Sequence, residues 1–169
     1  MKKNLLYSSK NLTFFAPESS KNFSQDSGVV LLDAGISAGF PSPAEDFKEE
    51  RISLDNELVI NKEATFYARV SGQSMVGAGL DDNDLLVIDR SLEPAHNRIA
   101  VCFLDGEFTV KRLKIDKQGL WLQPENPDYP IIKITDDNDF IIWGIVTNVI
   151  KKVLNSFKLF GLKRKLVVL

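Results

Sequence analysis

The segment Val70-Ser71-Gly72-Gln73-Ser74-Met75 has the residue types of a nucleophile site. An apolar strand stops there at a small, glycine-bearing turn, so the Ser74 hydroxyl can project beyond the strand end. The N–H groups around Ser74 and Met75 can then point at one spot, as stabilisation of an oxyanion requires. Such a serine needs a base. The candidate is Lys111, within Glu107-Phe108-Thr109-Val110-Lys111-Arg112-Leu113. Strand alternation puts Lys111 on one face with Thr109 and Leu113, opposite Phe108, Val110 and Arg112. A lysine pressed into an apolar surface loses hydration, its pKa falls, and the neutral amine can take a serine proton.

Spacing alone does not select this pair. The chain has 13 Ser and 15 Lys; a strand lysine ordinarily belongs to a solvated face, and a turn serine ordinarily bonds nearby backbone. Both ordinary readings stay open on these residues. Other chemistries find less support. The single histidine, His96, follows Pro94-Ala95 in a turn-like stretch and reads as a surface loop residue, with no serine motif beside it. One Cys and one His do not supply the usual ligands of a zinc site. Gly72, Gly77 and Gly79 fit neither common phosphate-loop spacing, and no cofactor is implied.

The elements that must carry Ser74 and Lys111 read as β throughout from about Ala64. Ala64 to Val70 is a strand by its β-branched and aromatic content, and Asp84 to Asp89 is a short apolar run. Ile99 to Leu104 and Glu107 to Leu113 flank Asp105-Gly106, a strong hairpin signal. Leu120 to Gln123, Ile131 to Ile134 and Phe140 to Val149 complete roughly seven strands. Residues 45–60 fit one helical turn or a strand equally well. Residues 1–38 read as a flexible arm with at most one or two short strands. The two prolines in Ala38-Gly39-Phe40-Pro41-Ser42-Pro43 make that stretch extended and exposed. The fold class is mainly β, a folded-over antiparallel domain over 39–150 with an arm before it and a tail, 151–169, after it.

Charge divides along the same lines. Residues 1–38 carry four basic groups against three acids, residues 39–150 eleven against twenty, and residues 151–169 six against none. A body that acidic repels phosphate, so the globular part is not expected to bind DNA in a sequence-specific way. In the tail, Val153, Phe157 and Phe160 lie at helical spacing but Gly161 interrupts, and an unstructured appendage is expected rather than a membrane-surface helix. No stretch reaches the roughly 18 apolar residues that span a bilayer, and the apolar start at Leu5-Leu6 is broken at Ser8-Ser9-Lys10. Cys102, alone and inside an apolar run, reads as a small core residue. With no intrachain disulfide possible, the cytoplasm is the expected compartment.

Three stretches taken together add a further expectation: Gly39-Phe40-Pro41-Ser42-Pro43-Ala44, Ser71-Gly72-Gln73-Ser74-Met75 and Asp105-Gly106-Glu107-Phe108-Thr109-Val110-Lys111. In this order and at these separations they resemble the LexA/UmuD-type self-cleaving Ser–Lys peptidases, over about residues 36–150. Pro127 to Ile131 and Trp143 to Val146 look like that family's later strands. The resemblance implies a LexA C-terminal-domain type of fold, Ser74 as nucleophile, Lys111 as general base, oxyanion stabilisation by the Ser74 and Met75 backbone, and a scissile Ala38–Gly39 bond on an arm that folds back as an added strand. It also implies a homodimer, activation by the RecA–single-stranded DNA filament in the SOS response to DNA damage, and a product that joins a Y-family, UmuC-like polymerase subunit in translesion synthesis. The 38 residues before the expected cut hold no pair of amphipathic helices, which favours the mutagenesis branch over repressors; signal peptidases share the dyad but need a membrane anchor. Departures are the longer arm, Ala38 at the cut, Gln73 where Asp is frequent, and the unmatched tail. The competing readings are a non-catalytic interaction module that regulates a polymerase and a LexA-like repressor fragment acting on DNA.

Overall fold

The computed structural model describes residues 5–8, 12–15, 29–32 and 49–153. Along the chain the elements are β1 (Leu5–Ser8), β2 (Leu12–Phe15), β3 (Val29–Leu32), β4 (Glu49–Ile52), α1 (Leu54–Leu58), β5 (Thr65–Val70), β6 (Leu85–Asp89), β7 (Ile99–Leu104), β8 (Glu107–Asp116), β9 (Gly119–Gln123), β10 (Ile132–Lys133) and β11 (Phe140–Ile150). Nine strands form one sheet in the order β1-β2-β5-β6-β11-β7-β8-β9-β10, and β3 pairs with β4 in a separate two-stranded sheet. Every pairing is antiparallel.

The mainly β expectation holds, with the strands from Thr65 onward where the sequence puts them. Residues 45–60 contain both of the elements the sequence left open, a strand and then a single helical turn. The arm departs from expectation: three strands, not one or two, fall before residue 38. β2 and β3 find their partners β5 and β4 far along the chain, and β1 is added to β2 as the outer strand of a hairpin, so local pattern carried little sign of them. Of the tail, Lys151 to Val153 belong to the described residues, and Ala38–Gly39 lies outside them.

β7 and β8 turn through Asp105 (φ 47°) and Gly106 (φ 91°). Two successive positive φ values define the tight turn whose twist matches a hairpin, which is why Asp-Gly stands there. Register then sets Ala100 opposite Lys111 and Cys102 opposite Thr109. β11 holds the middle of the sheet, pairing with β7 through its first half and β6 through its second. Irregularities in register at Ile142/Gly144 and Val146/Asn148 interrupt the two ladders, as bulges that bend a strand do.

Two apolar clusters form the core. Ala68, Val70, Met75, Leu80, Leu86, Ile88, Val101 and Val110 make the first, with Phe108 and Trp143 packed against it; Ala100, Cys102, Leu113, Leu122 and Ile145 make the second. Val110 and Leu113 therefore send β8 side chains into different clusters, and alternation gives Lys111 the side of Leu113. Gly144 sits where β11 crosses the core: a Cβ there would lie 2.6 Å from Ile88 Cγ2. Because Ile88 is fully buried, Gly144→Ala should overpack the core and destabilise the fold by about 1–3 kcal/mol, measured as a lowered midpoint of chemical unfolding with unchanged m value.

Candidate active site

Ser74 stands at the head of an excursion between β5 and β6. The base of this loop is closed by reciprocal main-chain bonds, Val70 N–H to Asp84 O (3.0 Å) and Asn83 N–H to Val70 O (3.0 Å). Lys151 braces the base, with Nζ 2.6 Å from Asp81 and 2.5 Å from Asp84. The chain leaves β5 through Gly72 at φ +105°, a conformation that an L side chain resists, and the Gly72 N–H donates to Asp82 Oδ1 (2.9 Å). After Ser74 comes a short 3-10 turn, Val76–Ala78, while Met75 anchors the turn in the first cluster at 2% exposure.

A second loop, between β9 and β10, clamps this turn. Glu125 N–H donates to Ser74 O (2.9 Å), Gly77 N–H donates to Glu125 O (2.7 Å), and Asn126 Nδ2 donates to Gln73 O (2.9 Å). A Cβ on Gly77 would meet Glu125 O at 2.5 Å, so the approach demands glycine. Arg112, between Lys111 and Leu113 on β8, pairs with the Glu125 carboxylate and donates to Asn97 O (2.6 Å). The clamp is therefore tied to β8 itself.

Lys111 is 7% exposed, and its Nζ lies 2.9 Å from Ser74 Oγ, 2.8 Å from Thr109 Oγ1 and 3.0 Å from Val110 O. No carboxylate is among these contacts. Burial pulls its pKa below the ordinary 10.5; the Cys102 thiolate, were it formed, would oppose this. That thiol is fully buried, and burial pushes it up to about 12, so it is neutral at ordinary pH. A neutral amine has two hydrogens and one lone pair. Val110 O can only accept, Thr109 Oγ1 can accept, and the lone pair is left for the Ser74 O–H.

Two adjoining clefts open here, of about 160 and 220 Å³, and Thr109, Lys111 and Tyr129 line both. The larger continues over Leu104, Phe108 and Ile132, giving a partly apolar trough beside the Ser74 hydroxyl. Among the described residues, no acceptor takes the Ser74 or Met75 N–H.

The structure thus brings together Ser74, Lys111 and Met75, which the sequence analysis singled out; Ala38 and Gly39 lie outside the described residues. His96 is exposed and its Nδ1 accepts the Ile115 N–H (3.0 Å), a loop role as expected. Cys102 is core, also as expected. Thr109, Arg112, Glu125, Asn126 and Tyr129 were not singled out as site residues. Asn126-Pro127 is a turn signal, but nothing local tells that the turn folds onto residue 74.

Known proteins offer matches. The model of the family described as Peptidase S24-like matches residues 30–147. Protein MucA of Salmonella typhimurium is 44% identical over 114 residues, 67% of this chain and 77% of that protein. Protein SamA of Salmonella typhimurium is 42% identical over 126 residues, 75% of this chain and 87% of its own length. The LexA repressor of Delftia acidovorans is 35% identical over 123 residues, 73% of this chain but 54% of the repressor.

Because the folded state binds the Lys111 proton less tightly than the unfolded state, burial of the charge weakens the fold at neutral pH. That penalty is relieved as pH rises from the folded-state pKa to about 10.5. Lys111→Met should therefore be most stabilising, relative to the parent, near neutral pH. Its advantage should shrink toward pH 10.5, by about 1.4 kcal/mol for each pH unit between the two pKa values. Chemical unfolding of both proteins across that range measures it.

Proposed function

This chain belongs to the Peptidase S24-like family, whose members are self-cleaving serine peptidases, and we propose that Ser74 is its nucleophile and Lys111 its general base. One observation carries the reading: the buried Lys111 amine rests 2.9 Å from Ser74 Oγ with no carboxylate among its contacts. Desolvation lowers the amine's pKa and so favours the neutral form, and its remaining contacts leave the lone pair for the hydroxyl.

The scissile bond in this reading is Ala38–Gly39. Lys111 Nζ takes the Ser74 proton as Oγ forms a bond to the Ala38 carbonyl carbon. The oxyanion is held by the Ser74 and Met75 N–H groups. As the C–N bond breaks, the lysine proton passes to the leaving Gly39 amine. Water then attacks the acyl-enzyme, gives a proton to Nζ, and releases Ser74 and a new carboxyl terminus at Ala38. Small groups on both sides of the bond suit a shallow trough: Gly39 permits close backbone approach. Since substrate and catalyst belong to one chain or one dimer, positioning supplies much of the rate, and the clamp from Glu125 and Asn126 keeps Ser74 in place for it.

The proposal extends to the setting of the reaction. MucA and SamA are UmuD-like proteins. On that likeness, we propose activation by the RecA–single-stranded DNA filament in the SOS response, and a cytoplasmic homodimer of residues 39–169 that serves a Y-family, UmuC-like polymerase in translesion synthesis. The net acidic character of 39–150 supports a protein partner over direct DNA contact.

Ser74→Ala and Lys111→Ala should each abolish the appearance of a fragment beginning at Gly39, measured by intact mass, while unfolding remains cooperative. In the parent the rate should climb about tenfold per pH unit below the Lys111 pKa and level off above it. A rate independent of pH from neutrality to about 10 would remove Lys111 from the role of base and leave the non-catalytic interaction module as the better reading.

A further inference from the structure

The expected cut falls in the connection 33–48, between β3 and β4. Two antiparallel ladders straddle it. β3 lies before the cut and β4 after it, in register from Val29↔Ile52 to Leu32↔Glu49. β2 lies before the cut and β5 after it, from Leu12↔Val70 to Phe15↔Tyr67. β1 extends the second ladder as the outer strand of a hairpin with β2. Breaking the Ala38–Gly39 bond removes no pair from either ladder.

We propose that self-cleavage does not free the arm: its strands stay paired on the body, β2 on β5 and β3 on β4. The proposal takes the position of the cut from the function assigned above, but the hold itself depends only on the two ladders. β2 and β3 belong to one continuous peptide, so each ladder keeps the other's strand at high local concentration, and both must open before the fragment departs. The occupant of the β5 edge, Thr65–Val70, is then the chain's own residues 12–15. The family model matches residues 30–147, a stretch that begins after the β1–β2 hairpin.

The edge also bears on the site. β5 leads directly into the Ser74 turn, since Val70 both pairs with Leu12 and closes the base of the 71–83 loop through Asp84 O and Asn83 N. A strand seated on β5 therefore steadies the element from which the nucleophile projects, before and after the cut.

The test separates retention from self-cleavage. A recognition sequence for an unrelated, sequence-specific endopeptidase is placed within 33–48 of full-length Ser74→Ala, and the protein is cut with that enzyme. Denaturing mass then shows two pieces, and native mass and gel filtration at micromolar concentration should show them travelling together. Elution of the free arm peptide away from the body under those conditions overturns the proposal. Thr13→Pro with Phe14→Pro removes two N–H donors from β2 whichever of them faces β5. This variant, once cut, should shed the fragment about tenfold faster, the equivalent of about 1.4 kcal/mol; shedding at the parent's rate would show that the β2–β5 ladder is not the hold, and would also overturn it. A parent that fails to cut itself, beside a nicked variant that retains its arm, strikes down the assigned function and leaves the retention standing.

Discussion

A lysine amine held away from water beside a serine hydroxyl is the constraint on which the rest of this structure turns. Water would satisfy the Lys111 ammonium far better than Ser74, Thr109 Oγ1 and Val110 O do together. The chain accepts that loss by surrounding the side chain with strand rather than loop. β8 is flanked on both sides, by β7 and β9, so two ladders fix the backbone that carries the lysine. The Cys102 thiol, an uncharged neighbour on the opposing strand, adds bulk without a counter-charge that would hold the proton on the amine. A carboxylate at that position would pair with the lysine and raise its pKa.

Ser74 meets the lysine by a different route. Its own strand supplies only direction; its position comes from the clamp made by Glu125 and Asn126 against Gln73, Ser74 and Gly77. These bonds run mostly between main chains, so side-chain identity matters chiefly where space is short, as at Gly77. Arg112 ties the clamp to the lysine's own strand through Glu125. Ser74 and Lys111 are thus registered to each other through two independent connections, the sheet and the clamp, and a shift in either is resisted by the other.

Much of this was legible in the sequence because it is encoded locally. Asp105-Gly106 fixes the β7–β8 turn and so the register of Lys111, and the alternation through Thr109, Lys111 and Leu113 assigns its face. The glycine-bearing turn after Val70 marks where a serine can project. What could not be read is what depends on distant partners. The strands β1 to β3 are four residues each, and β2 and β3 take shape against segments far downstream, so composition suggested a loose arm. The clamp was hidden for a related reason: Glu125 uses its backbone, and a backbone donor looks alike at every residue. The pair itself was one of many Ser and Lys combinations until the resemblance of three motifs singled it out, and only the fold shows that the two side chains meet.

The hairpin at the sheet's outer margin has a bearing on how proteins of this kind behave in solution. β5 contains Phe66, Tyr67, Ala68 and Val70, a β-prone run with a single charge, Arg69, and an uncovered strand of that composition is a template for edge-to-edge association. With β2 in place, the template is filled by a segment that the chain carries with it. A shortened version that begins after the arm presents that margin bare, and its colloidal behaviour is then set by strand chemistry at β5 rather than by the acidic charge of the body. An arm that fills the β5 edge in this way shields the body from its own edge strand.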